Sequence, residues 1–124
     1  MILELDFKSS LPVYVQLRNE IVRGIGSGEL AFGEQLPTVR SLAADLGVNA
    51  MTVSKAYQLL DSQGYIRTDR RRGTAVCARG EMPDFLENPQ SRKELVLLAR
   101  EAALGGYSRE DFLKLCSDAY TELT

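Results

Sequence analysis

The sequence of 124 residues contains no histidine and no tryptophan. Without an imidazole it lacks the commonest acid–base group near neutral pH and a frequent metal ligand. Cys77 and Cys116 stand alone and far apart, so no cysteine pair has metal-ligand spacing, and no metal or other cofactor is expected. They read as two buried thiols in a reducing compartment rather than as a disulfide. No uninterrupted apolar run approaches 18 residues, and the N-terminus has no basic region leading into an apolar one. Neither a membrane span nor a secretory signal is therefore expected, which points to the cytoplasm and away from a membrane partner. There is no nucleophile motif and no glycine-rich phosphate loop. Asp45 and Asp61 are single acids on helical patterns, best read as solvated, so the chain is not expected to be an enzyme.

What is present is enough for a folded core, since 44% of the residues are apolar. The length fits one domain, or one small domain with an appendage. The net charge of −2 hides an uneven distribution. Residues 36–80 carry seven basic side chains against three acidic, a net of +4, while residues 1–35 and 81–124 are net −2 and −4. A local basic patch attracts phosphate whatever the total.

The organising stretch runs from Leu36 to Gly64, LPTVRSLAADLGVNAMTVSKAYQLLDSQG. Val39, Leu42, Ala43 and Leu46 fall at i, i+3, i+4 and i+7, one apolar face of a helix. Thr38 is a suitable N-cap and Gly47 a left-handed stop. Asn49 then caps a second helix whose Val53, Ala56, Tyr57 and Leu60 repeat the spacing, and Gly64 ends it. Two helices joined by a short turn containing glycine form a helix-turn-helix, the second being the candidate recognition helix. Opposite its apolar stripe lie Met51, Ser54, Lys55 and Gln58, with Thr52 on the flank. This face has no acid before Asp61, and hydroxyl, amide and ammonium groups are the types that read base edges. A helix-turn-helix core that is purely structural is the bland alternative.

After Gly64 the helical period disappears. YIRTDRRRGTAVC reads as two short strands around a polar tip, Asp69 to Gly73, which makes a β-hairpin wing directly after the recognition helix. Arg70, Arg71 and Arg72 at such a tip either keep a hairpin soluble or reach phosphates and a minor groove. Gly73 would let the backbone come close to DNA.

The run LPTVRSLAADLGVNAMTVSKAYQLLDSQGYI resembles the winged helix-turn-helix of GntR-type bacterial transcription regulators. Their pattern is LPS-x-R-x-LA, LGV-x-x-x-TV-x-x-AY-x-x-L and a following glycine. The connector SGELAFGEQLP carries the likeness back, so it spans residues 12–78. The VNAMTVSKAY wording and short tail look most like the YtrA subfamily. Two positions depart from the pattern: the family often has Pro where Ala50 stands, and a bulkier residue where Ala75 follows the wing Gly-Thr. The resemblance implies a sequence-specific regulator of transcription, a repressor by analogy, that binds double-stranded operator DNA. With the residue chemistry it nominates Arg40, Asn49, Ala50, Met51, Thr52, Ser54, Lys55, Gln58, Arg70, Arg71, Arg72 and Gly73 as the DNA-binding set. Arg40, matching a family arginine, is the expected phosphate clamp. The resemblance leaves open an unknown small-molecule effector, which the sequence does not name.

Upstream, Ile2 to Phe7 alternates and suggests a short edge strand. Ser9 or Ser10 with Pro12 opens a helix lined by Tyr14, Leu17, Ile21 and Ile25, ending in the glycines Gly24, Gly26 and Gly28. Downstream, RGEMPDFLENP is a linker, because Gly80, Pro83 and Pro89 forbid a continuous helix. Two helices follow, each introduced by a capping-box pattern: Ser91-x-x-Glu94 and Ser108-x-x-Asp111. Their apolar faces comprise Leu95, Leu98, Ala99 and Ala102, widened by Val96, Leu97 and Ala103, then Phe112, Leu115, Cys116, Ala119 and Leu123. So short a segment cannot build its own core, so its surface must pack on the rest of the monomer or on another chain. A homodimer is the favoured expectation, through Leu95, Leu98, Ala102, Phe112, Leu115 and Ala119, because helix-turn-helix proteins usually read two half-sites with two-fold symmetry.

The expected fold is mainly α with a small β-hairpin wing: a winged helix-turn-helix over 1–78, a linker over 79–90 and a two-helix dimerisation module over 91–124. The rival function is a winged helix used for protein interaction or as a sequence-neutral architectural DNA-binding module. Lys55 and the arginine wing speak against the first, and the acidic total against the second.

Overall fold

The computed structural model describes residues 3–121. The chain divides into two compact units, Met1–Pro83 and Asp84–Thr124. In the first, three helices precede a hairpin: α1 (Val13–Ser27), α2 (Val39–Leu46), α3 (Ala50–Gln63), β1 (Ile66–Asp69) and β2 (Gly73–Val76). The second contains α4 (Pro89–Leu104) and α5 (Arg109–Thr121).

The core of the first unit is where periodicity put it. Leu17, Ile21 and Ile25 of α1, Leu42 and Ala43 of α2, and Val53, Ala56, Tyr57 and Leu60 of α3 are buried together. Ile66 and Val76, paired across the hairpin, close it from the wing side. Helix α3 packs against α1, α2 and β1, so it is the central element.

Local chemistry fixes where α2 and α3 begin and end. The Thr38 side chain accepts the Ser41 N–H at 3.1 Å, and the Asn49 carboxamide accepts that of Met51 at 2.8 Å. These satisfy donors that a helix start leaves orphaned. Gly47 has φ +68°, which a side chain would resist, and its N–H returns to the carbonyls of Ala43 and Ala44. The result is a turn short enough to hold α3 against α2.

Several expectations are corrected. The N-terminal segment is not an edge strand, and its first residue, Ile2, lies outside the described residues. Side chains of α1 take its backbone groups instead. Glu20 Oε1 accepts the Glu4 N–H at 3.0 Å, Gln16 Oε1 accepts that of Asp6 at 2.7 Å, and Gln16 Nε2 donates to the carbonyls of Asp6 and Leu11. Arg23, 3.2 Å from Glu20, holds that carboxyl below the usual carboxylate range. Neither Ser9 nor Ser10 caps α1; Pro12 stands at its N-cap with no side-chain bond. The helix also runs through Gly24 and Gly26 before stopping at Gly28.

In the second unit the first capping box does not form. Pro89 occupies the first helical turn of α4 and Asn88 caps it, accepting the Gln90 N–H at 3.0 Å, which leaves Ser91 inside the helix. A proline needs no N–H partner there, so Asn-Pro outcompetes the later serine. The second box does form: Ser108 Oγ accepts the Asp111 N–H and Asp111 Oδ2 accepts that of Ser108, both at 3.1 Å. Between β2 and α4 the chain makes single 3-10 turns, Arg79–Glu81 in the first unit and Phe85–Glu87 in the second, and Met82 packs on the first unit's core.

Both cysteines are free thiols. Cys77 is buried, which pushes its thiol pKa up, but Cys116 is only half-buried, against expectation. No helix among the described residues is long and apolar enough to cross a membrane.

Candidate nucleic-acid interface

Helix α3 is held from behind. The Tyr57 phenol, whose pKa burial pushes up to about 12, stays protonated and donates to the Pro37 carbonyl at 2.8 Å. That bond ties α3 to the turn that starts α2. With Val53, Ala56, Tyr57 and Leu60 turned inward, the opposite side of the helix faces solvent. Met51 is 66% exposed, and Lys55 and Gln58 are exposed too, while Thr52 and Ser54 are half-buried.

These side chains are not equally free. Gln58 Nε2 donates to Ser54 Oγ at 3.3 Å, so the two form a polar pair along one helix face. The Lys55 ammonium lies 5.7 Å from the centre of the Tyr14 ring of α1. Asn49 and Ala50 are exposed at the helix start, where the carboxamide oxygen of Asn49 is already engaged as a cap. Arg40, in the first turn of α2, is exposed and has no ion-pair partner among the described residues.

The wing is an antiparallel hairpin with Ile66 opposite Val76 and Asp69 opposite Gly73, leaving Arg70, Arg71 and Arg72 as its tip. Asp69 Oδ1 accepts the Arg71 N–H at 2.8 Å, which shapes the turn. Gly73 has φ +79°, and a Cβ there would come within 3.3 Å of Gln35 Nε2. The tip and Arg67 line an open hollow of about 650 Å³. Among the described residues, none of the three tip guanidinium groups is paired with an acid. A row of cations on a paired hairpin, with no acid partner among the described residues, is suited to phosphate oxygens.

One supporting element was not foreseen. The connector before α2 lies along the outer edge of β2. Leu36 N–H donates to the Thr74 carbonyl and Val76 N–H to that of Glu34, both at 2.8 Å, and Gln35 pairs with Ala75. Gln35 Nε2 also donates to the Arg72 carbonyl at 2.6 Å, bracing the tip. So short a pairing offers no two-residue alternation long enough to detect.

The expected α4 and α5 residues occupy a separate unit. Leu95, Leu98, Leu115 and Ala119 are exposed, Leu98 by 58%, while Ala102 and Phe112 are half-buried. None of the described residues of these helices is buried.

The sequence profile described as bacterial regulatory proteins, gntR family, matches residues 13–76. The HTH-type transcriptional regulator Rv1152 of Mycobacterium tuberculosis is 43% identical over 82% of this chain and 83% of its own. The HTH-type transcriptional repressor YtrA of Bacillus subtilis is 39% identical over 60% of this chain and 57% of its own. Among solved structures, a transcriptional antiterminator from Listeria monocytogenes EGD-e superposes with TM-score 0.86 at 30% identity, covering 98% of this chain and 91% of that one. YtrA from Sulfolobus acidocaldarius, a GntR-family transcription factor, gives 0.66 at 33% identity, covering 84% and 99%. The AraR DNA-binding domain in complex with operator ORX1 gives 0.55 at 32% identity, covering 62% and 99%.

Proposed function

The chain belongs to the gntR family of bacterial regulatory proteins, transcriptional regulators with a DNA-binding helix-turn-helix, and from that premise we propose that it is a repressor. In this reading it binds a palindromic operator as a homodimer. Helix α3 enters the major groove and presents Met51, Thr52, Ser54, Lys55 and Gln58 to base edges, with Asn49 and Ala50 at its leading end. Arg40 clamps a phosphate beside it. The hairpin lays Arg70, Arg71 and Arg72 on the adjacent backbone or minor groove, with Gly73 allowing close approach.

The observation that carries this reading is the solvent-facing side of α3, free of acids before Asp61 and backed by a buried opposite face. An element that must dock as one piece in a groove about 12 Å wide needs that backing. Support also comes from AraR, whose domain of the same architecture is bound to an operator. Repression follows YtrA of Bacillus subtilis, a named repressor.

The homodimer rests on the second unit. Leu95, Leu98, Ala102, Phe112, Leu115 and Ala119 present apolar surface that two helices cannot bury between themselves. A second copy covering it would pair two recognition helices for half-sites about one helical turn, ~34–36 Å, apart. Residues 1–78 would then act as the DNA-binding domain, 79–90 as linker and 91–124 as the dimerisation module. The site of action is the cytoplasm, and no catalytic step is involved.

Selection of duplexes from a random pool by the full-length protein tests the proposal. An inverted repeat with half-sites one helical turn apart is the expected product. A pool that stays random after repeated rounds would favour an architectural or protein-interaction module instead.

A further inference from the structure

Lys55 is the one cation on the outward face of α3, and it is not free to wander. Its ammonium sits 5.7 Å from the centre of the Tyr14 ring, inside the distance at which a cation is drawn to the face of an aromatic ring. Tyr14 itself is anchored. It lies in the first turn of α1, half-buried and packed against the hydrophobic core, and α1 packs against α3. A half-buried ring fixed by core packing therefore holds an exposed, flexible ammonium.

We propose that Tyr14 is a positioning residue for DNA recognition, its ring preorganising the Lys55 ammonium for one base edge. The proposal rests on α3 reading the major groove. A lysine on a bare helix surface samples many rotamers and must lose them on binding, so holding it beforehand sharpens the preference among bases. Lys55 presents a point charge with no fixed fork, and restraint from outside its own helix gives it a direction. Nothing in this role requires the phenol hydroxyl; what counts is the π face.

The test is a set of single and double variants of the full chain, titrated against the selected operator and its single-base variants. Tyr14→Phe keeps the ring and should preserve the ranking of duplexes. Tyr14→Leu keeps apolar packing but removes the π face, and should flatten the preference at the Lys55-dependent base pair by about two- to fivefold. In a Lys55→Met background, Tyr14→Leu should cause no further change. Equal losses from Tyr14→Leu with and without Lys55 would overturn the proposal, as would a Tyr14→Phe protein that behaves like Tyr14→Leu. A wild-type protein that ranks no duplex above another would instead bring down the recognition reading itself. The proposal has its own check in the DNA-free protein: the Lys55 ε-methylene protons should be shifted upfield by the Tyr14 ring current in NMR spectra. That shift should persist in Tyr14→Phe and vanish in Tyr14→Leu; unshifted protons in the wild type would refute the contact.

Discussion

Arg40 and Lys55 carry the same charge on adjoining helices, yet the proposed reading gives them different work. Arg40 stands in the first turn of α2 with no acid paired to it, so its guanidinium is available to a phosphate. Arg40→Ala should weaken binding to every duplex alike and lower the slope of log K against log salt by about one unit. An unchanged slope would remove Arg40 from the phosphate contacts. Lys55 and Gln58 are exposed on α3, and in the proposed reading they face base edges. Lys55→Ala and Gln58→Ala should each change the preference at the base pair they face by ~1–3 kcal/mol, leaving other positions alone. Uniform loss across operators would move either residue to the phosphate class. At this scale the sequence was readable wherever the chemistry is local. Thr38, Asn49, Gly47 and Gly64 cap their helices as expected, because a cap is decided by a few neighbouring residues. The ring of Tyr14 beside Lys55 was not readable, since it joins residues from two helices that only packing brings together.

The wing is braced from two sides: β1 pairs with β2 along its length, and the connector before α2 lines the other edge. Its arginines should supply affinity more than base choice, because the minor groove mainly distinguishes A·T from G·C. Replacing Arg70, Arg71 and Arg72 together with Ala should lower specific and random binding in nearly equal measure, as measured by parallel titrations. A changed site preference at the operator centre would contradict that role. The hairpin was legible because the helical period ends at Gly64 and two short strand-like runs flank a polar tip. The N-terminal segment misled for a physical reason: its alternating pattern was real, but the carboxamide of Gln16 and the carboxylate of Glu20 claimed the backbone groups a strand partner would have used. Helix α4 started early because Asn88-Pro89 is a better start than the serine two residues on. In both cases one local pattern lost to a competing partner.

The whole molecule joins a unit whose residues 36–80 are net basic to a pair of helices with exposed apolar side chains. If those helices form the dimer contact, removing them should separate affinity from fold. Met82 packs on the core, so the cut belongs after Pro83. The shortened chain should keep its helical spectrum but sediment as a monomer, and lose ~100-fold or more on a two-half-site duplex through lost effective concentration. Binding to a single half-site should barely change. Leu98→Glu or Leu115→Glu in the intact chain should mimic the cut by placing a charge in an apolar contact. If the intact and cut chains both sediment as dimers, the contact lies in the first unit. The central claim, that α3 reads sequence, is tested most directly by competition between the selected operator and a random duplex across a range of salt. Discrimination of ~10³-fold or more that persists as salt rises is the predicted result, because base contacts release fewer ions than phosphate contacts. Equal affinity for both duplexes at every salt concentration would contradict it.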